Sequence, residues 1–157
     1  MEKESKYFAV SHYIEENGTG FFQLTKEYRL EGIVAKRKDS RYYFDKRTKD
    51  WIKIKNMADE DLVICGYILK SSRITSLVLG QYTEYGLEYK GHVTLGVSGK
   101  VIGQLEGLVR GVSSFEEVPA RSDKMVWVRP ELICTVEYMA DEGSTRRQAV
   151  FKGIRTD

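Results

Sequence analysis

Cysteine and histidine are scarce in this 157-residue chain, with two of each: Cys65 and Cys134, His12 and His92. So few thiols exclude a disulfide scaffold, and these four residues match no known zinc-ligand spacing. Neither histidine has the carboxylate or serine context of a catalytic base, and neither is assigned a role. Long apolar runs are missing as well. The longest, over 62–69, is interrupted by Gly66 and falls far short of the roughly 20 residues that span a bilayer. The opening residues, Met1-Glu-Lys-Glu-Ser-Lys6, are charged with no apolar run behind them, so no secretory signal and no membrane partner are expected. A cytoplasmic globular protein is the expectation. Net charge is low too, at +2, while 41% of residues are apolar, enough to build a real core in one domain or two small ones.

The small net charge conceals an asymmetry. Residues 1–56 carry thirteen basic and nine acidic side chains, residues 57–157 twelve and fourteen. Nine of the basic residues crowd into 36–55, interleaved with Tyr42, Tyr43, Phe44 and Trp51 and opposed only by Asp39, Asp45 and Asp50. Cations neutralise phosphates and aromatic faces stack on bases, so the mixture suits a nucleotide or nucleic acid. A solvated charged hairpin is the plainer reading of such a run.

Pattern along the chain divides it in two. Residues 6–14 read as a strand, and Asn17-Gly-Thr-Gly20 as a turn. Thr19 is a candidate N-cap for a helix over about 20–29 that would bury Phe21, Leu24 and Tyr28. Two strands follow, over 31–37 and 51–55, joined by the basic aromatic loop. The polar stretch 56–61 reads as a hinge. Beyond it the β-rich runs are 62–69, 76–82, 87–93, 126–139 and 148–154, with a helix predicted over about 100–112. The apolar stripe of that helix is Val101, Ile102, Leu105, Leu108, Val109 and Val112. Three strands, a helix and more strands is the chain order of an OB-fold, the five-stranded Greek-key barrel. The expected fold is therefore mainly β with α: a C-terminal barrel over 57–157 and a smaller α/β piece over 1–56.

Several local signals resolve to structure. The segment Gly91 to Lys100 lacks the first glycine and the Ser/Thr of a phosphate loop, since Thr94 and Val101 occupy those places. Gly99, Gly103, Gly107 and Gly111, spaced by four, suggest close packing of a helix on the barrel. Cys65 and Cys134 lie in apolar strand runs and are expected to be small buried hydrophobes.

The sharpest signal lies between Leu30 and Lys55. On a strand, Trp51, Lys53 and Lys55 point one way, and Ile52 and Ile54 point towards a core. Two lysines two residues apart place two positive charges where a phosphate would sit. In the other strand Glu31, Ile33 and Ala35 share a face, with Val34 and Lys36 on the reverse. A carboxylate near that lysine pair suits a metal ligand that offsets phosphate repulsion. It suits equally a structural cross-strand Glu–Lys pair.

Here a resemblance appears. Glu31-Gly-Ile-Val-Ala-Lys36 resembles the fourth nucleotidyltransferase motif of ATP-dependent DNA ligases, and Trp51-Ile-Lys-Ile-Lys55 the fifth. The link from Asp39-Ser40 through Tyr42 to Lys46-Arg47-Thr48 and Asp50 follows the family's pattern. The resemblance continues through Gly91-His-Val93, Ser114-Phe115 and Pro130 to Tyr138. It ends in Phe151-Lys-Gly-Ile-Arg155-Thr-Asp157, similar to the sixth motif. It covers essentially the whole chain and is strongest towards the ligase domains of bacterial end-joining repair proteins.

What the resemblance implies is nick sealing in three steps. A lysine attacks the ATP α-phosphate, AMP passes to a DNA 5′-phosphate, and the 3′-hydroxyl displaces AMP. ATP and Mg2+ are the implied cofactors, with nicked or broken duplex DNA in the bacterial nucleoid as substrate. By position, Glu31 matches the divalent-metal carboxylate, and Lys53 and Lys55 the lysines on the AMP α-phosphate. Arg47 would lie beside the phosphates and Trp51 would brace the strand. Arg155 and Asp157 match barrel residues that orient pyrophosphate. On this reading 1–56 is the end of a partial α/β adenylation (nucleotidyltransferase) domain and 57–157 an OB-fold domain. The family nucleophile lies in Lys-x-Asp-Gly, and no such tetrapeptide occurs in the 157 residues. Asp45 also stands where the family usually has glycine. The N-terminal part of the ligase is thus an implied partner, and the chain is expected to be inactive alone in self-adenylation. The alternatives are a non-catalytic nucleic-acid-binding OB module and an RNA ligase or capping-type relative.

Overall fold

The computed structural model describes residues 13–70, 73–117, 125–139 and 146–156. Most of the strand expected over 6–14 lies outside these residues, and Tyr13 and Ile14 are not in a strand. The chain divides into two compact units, Met1–Asn56 and Met57–Asp157.

In the first unit, α1 (Gly18–Glu27) precedes β1 (Gly32–Lys36) and β2 (Trp51–Lys55). Asn17, not Thr19, caps α1: its side-chain oxygen accepts the Gly20 N–H at 3.2 Å, satisfying one otherwise orphaned amide. The expected apolar stripe is not the buried one. Leu24 and Tyr28 are exposed, Phe21 is half-buried, and the residue sealed from solvent is Thr25. Its hydroxyl donates to the Phe22 carbonyl at 2.7 Å and accepts from the Asn56 side chain at 3.2 Å. Asn56 also donates to the Leu30 carbonyl at 2.6 Å, so one amide ties the end of α1 to the end of β2. β1 and β2 pair antiparallel, Ile33 opposite Ile54 and Lys36 opposite Trp51. Ile52 and Ile54 do not reach a core; they stay 56% and 38% exposed on this two-stranded sheet.

The second unit is a barrel. β3 (Met57–Lys70), β4 (Arg73–Thr83) and β5 (Gly86–Val93) form an antiparallel meander. Then come α2 (Gly99–Glu106), β6 (Val109–Arg110), β7 (Met125–Val128), β8 (Ile133–Met139) and β9 (Arg147–Ile154). β8 pairs with the first half of β3, and β9 with β8. The ring closes just after β5, where Leu95 bridges Val150 in parallel and its carbonyl accepts the Phe151 N–H at 2.8 Å. The circuit β3-β4-β5-β9-β8 and back to β3 is the OB order, with α2 between the third and fourth barrel strands. β6 and β7 are an extra pair laid on the second half of β3.

The continuous apolar run of β3 has a packing reason. Leu62 and Ile64 enter the main core with Leu77, Leu79, Val136 and Phe151. Val63 and Cys65 face the other way, into a second cluster with Val78, Phe115 and Trp127. A strand covered on both faces loses polar alternation. Phe115 anchors the second cluster, its ring edge-on to Tyr89 at 5.7 Å and to Trp127 at 5.9 Å. Gly66 sits at a register shift where β7 crosses; a Cβ there would lie 2.7 Å from the Val126 carbonyl oxygen. Cys65 and Cys134 are fully buried as expected, and burial pushes both thiols up to about 12.

Four expectations change. The polar stretch after Asn56 is no hinge: Met57–Asp61 is the first half of β3, laddered to β8 from Met57↔Met139 to Asp61↔Thr135. The predicted helix stops at Glu106 with Gly107 as its C-cap. Val101 and Leu105 are buried from it, whereas Val109 lies in β6 and Val112 is exposed. The four spaced glycines make no close contact, since a Cβ on any of them would meet nothing within 4 Å. Finally, the run 126–139 is two strands, separated at Arg129-Pro-Glu131, where the proline lacks the N–H a ladder needs.

Candidate functional site

The first unit gathers its chemistry on the β1–β2 pair. Antiparallel register puts Gly32, Val34 and Lys36 on the same face as Lys55, Lys53 and Trp51. Lys53 and Lys55 therefore project side by side, two residues apart. Strand alternation would send Glu31 to the opposite face with Ile33 and Ala35. Instead its carboxylate lies 3.9 Å from the Lys53 ammonium. The residue between makes this possible: Gly32 has φ +133°, and a Cβ there would lie 2.1 Å from the Ile54 carbonyl oxygen. No other residue type fits that backbone. Both partners of the ion pair are half exposed, so the pair by itself is worth less than about 1 kcal/mol.

Trp51 is fixed more firmly. Lys36 places its ammonium 4.3 Å from the indole centroid, the Tyr42 ring packs at 5.6 Å, and the indole N–H donates to Ser40 Oγ at 3.0 Å. Sequence reading missed Lys36, although the signal was present. Lys36 ends the first motif and Trp51 begins the second, and antiparallel pairing sets them opposite.

Arg47 is exposed in the loop between the strands, with no ion pair among the described residues. The structure does not bring it into contact with the lysine pair. Asp45, where the family usually has glycine, adopts the left-handed conformation (φ 52°) that a glycine would favour. Arg155 belongs to the barrel unit, just beyond β9. There it is held by Asp61, which also accepts a hydrogen bond from Thr135 at 2.7 Å. Asp61 was read as hinge and so missed; its alternation with Asp59 in a polar strand was the available signal. Asp157 lies outside the described residues.

Among the described residues no group of three or more His, Cys, Asp or Glu could cage a metal. Glu31 stands as one carboxylate beside two lysines. That donor set fits a magnesium ion, which uses one or two carboxylates with phosphate oxygens and water, and does not fit a resident metal held by protein alone. Among the described residues no helix is long and apolar enough to cross a membrane.

Comparison with known proteins agrees with both halves. Residues 70–157 match the family profile described as ATP dependent DNA ligase C terminal region, and residues 8–55 match ATP dependent DNA ligase domain. The multifunctional non-homologous end joining protein LigD of Pseudomonas aeruginosa is 41% identical over 141 residues, covering 82% of this chain and 17% of that protein. Its counterpart in Mycobacterium bovis is 30% identical over 160 residues, 94% of this chain and 21% of that protein. The chain thus spans about a fifth of the length of these curated relatives. The crystal structure of the ligase domain from M. tuberculosis LigD superposes with a TM-score of 0.56 at 29% identity, over 95% of this chain and 51% of that one. A motif pair in register, a barrel of OB order and profile matches over most of the sequence agree: the chain belongs to the ATP-dependent DNA ligase family.

Proposed function

We propose that this chain is the C-terminal portion of the ligase domain of an ATP-dependent DNA ligase that seals nicks or breaks in duplex DNA during bacterial repair. In this reading 1–56 ends an adenylation domain and 57–157 is its OB-fold domain, working with an N-terminal ligase part that bears Lys-x-Asp-Gly. The observation that carries it is the meeting of Glu31 with Lys53, beside Lys55, on one face of a sheet whose two strands each bear a family motif. The relatives matched are DNA ligases and end-joining proteins, which favours this reading over an RNA ligase, a capping enzyme or a binding module.

AMP transfer from ATP to an amine, and on to a DNA 5′-phosphate, gathers negative charge around the α-phosphorus. Lys53 and Lys55 answer that charge from two points on one strand, fixed before the reaction begins. Glu31 would hold a magnesium ion, which when bound would withdraw electron density from phosphorus. Trp51, gripped by Lys36, Tyr42 and Ser40, holds the strand that presents the lysines. Arg47 is a phosphate contact from the loop, and Arg155 and Asp157 orient the departing pyrophosphate.

The test uses a ligase that contains this segment. Replacing Lys53 and Lys55 together by Ala should slow self-adenylation by a factor matching about 2–4 kcal/mol. The 157-residue chain alone should acquire no covalently bound AMP. Wild-type adenylation by the double variant, or an AMP adduct on the isolated chain, would overturn the assignment.

A further inference from the structure

The cations of the basic loop fall into two groups. Lys36 lies over Trp51, Arg37 pairs with Asp39 and Asp50, and Lys38 pairs with Glu15. These three have structural work. Arg41, Lys46, Arg47 and Lys49 are all exposed, and among the described residues none of the four forms an ion pair. Between residues 40 and 49 only the carboxylate of Asp45 opposes them, which leaves the loop strongly positive. At its tip the Lys46 N–H closes a turn onto the Tyr43 carbonyl at 3.5 Å, with Phe44 and Asp45 at the centre. The left-handed Asp45 turns the chain back, and Phe44 is left 80% exposed, while its neighbour Tyr42 is engaged with Trp51.

We propose that Phe44 is a stacking platform for an exposed nucleobase at the end of a DNA strand, with Arg41, Lys46 and Lys49 on the flanking phosphates. This rests on the DNA-ligase reading above. An exposed ring in a loop whose neighbouring cations form no ion pair among the described residues calls for a partner that is apolar on its face and anionic on its margin. A base attached to its phosphates has that combination. Bases within a duplex are already stacked on both sides, and phosphates alone offer nothing to a phenyl ring. A frayed end or an overhang presents the free face that Phe44 can cover. An anionic membrane shares the charge and the greasiness, but none of the base-dependent readouts below.

The experiment is fluorescence anisotropy of the 157-residue chain with a duplex bearing a short single-stranded overhang, against a duplex closed by hairpins at both ends. Phe44→Ala should weaken overhang binding about tenfold and closed-duplex binding hardly at all, because one stacked base is lost. The salt slope should be unchanged, since no charge is removed, whereas Lys46→Ala should lower it by roughly one. Phe44→Trp should restore affinity, and its added tryptophan emission should be quenched on the overhang substrate but not on the closed one. Equal affinity of Phe44→Ala and wild type for the overhang, with salt-dependent binding intact, would overturn this inference and leave the ligase reading standing. So would a Phe44→Ala defect seen with phosphatidylglycerol vesicles and not with DNA. Absence of DNA binding by the wild-type chain would likewise overturn this inference, while the ligase reading is tested by adenylation.

Discussion

Arg146 grips Glu60 with two hydrogen bonds, Nε to Oε2 at 2.6 Å and Nη2 to Oε1 at 2.7 Å, while its third nitrogen donates to the Lys90 carbonyl at 3.2 Å. The fork lies over the Tyr138 ring at 5.6 Å. With side-chain exposures of 17% and 21%, this is the least exposed ion pair among the described residues. It joins the start of β9 to the first half of β3, across β8.

Glu60→Gln keeps the shape of the side chain but leaves the guanidinium without its charge partner. Stability of the barrel should fall by roughly 2–3 kcal/mol, between the cost for an exposed pair and for a fully buried one. Chemical denaturation read at Trp127 checks this, and a change below half a kcal/mol would show the pair to be incidental.

Asp61 makes stability depend on acid. The hydrogen bond from Thr135, and then that from Arg155, hold its carboxyl below the ordinary carboxylate value. The folded state therefore favours the ionised form, and the stabilisation is complete above the unfolded pKa near 3.9. It is lost as pH falls through the folded value. Asp61→Asn should melt below wild type at neutral pH and converge with it in strong acid. Parallel melting curves across the whole range would contradict this.

Gly32→Ala should be severe. Positive φ strains any L side chain, and the added methyl would meet backbone that cannot rotate away, so a loss of about 2–4 kcal/mol is expected in the first unit. Cross-strand NOEs between β1 and β2 should vanish while those of the barrel persist.

Amide exchange should divide the chain near Asn56. The β3–β5, β8 and β9 ladders close on one another around a buried core, whereas β1 and β2 have only each other among the described residues. Slow exchange is expected from Ala58 onward in β3, and exchange at least tenfold faster in 32–36 and 51–55. Uniform protection in a dilute monomer would contradict it.

Much of this was legible in the sequence. β2 falls on the predicted residues, and β4, β5 and β9 lie within a few residues of the predicted runs. The misreadings share a cause. Glu60 and Asp61 look like loop residues because they are charged, yet Arg146 and Arg155, some ninety positions away, give them partners in a strand. Leu24 and Tyr28 have helical spacing, but spacing says only that residues share a face, not that anything covers it. The stripe over 101–112 outran its helix because β7 captured Val109 and Arg110 as a strand.

By itself the sequence determined the local chemistry: an acidic residue and three cations in two short motifs, a loop of cations and aromatics, and a run of strands with one helix among them. Composition and short-range periodicity encode these because each depends on neighbours a few residues apart. Only the tertiary structure decided which charges meet. Antiparallel register set Lys36 against Trp51, the positive φ of Gly32 brought Glu31 to Lys53, and the ladder from β3 through β8 to β9 set Asp61 against Arg155. Those pairings are long-range contacts, and their geometry follows from how strands lie beside one another, which no single stretch of sequence contains.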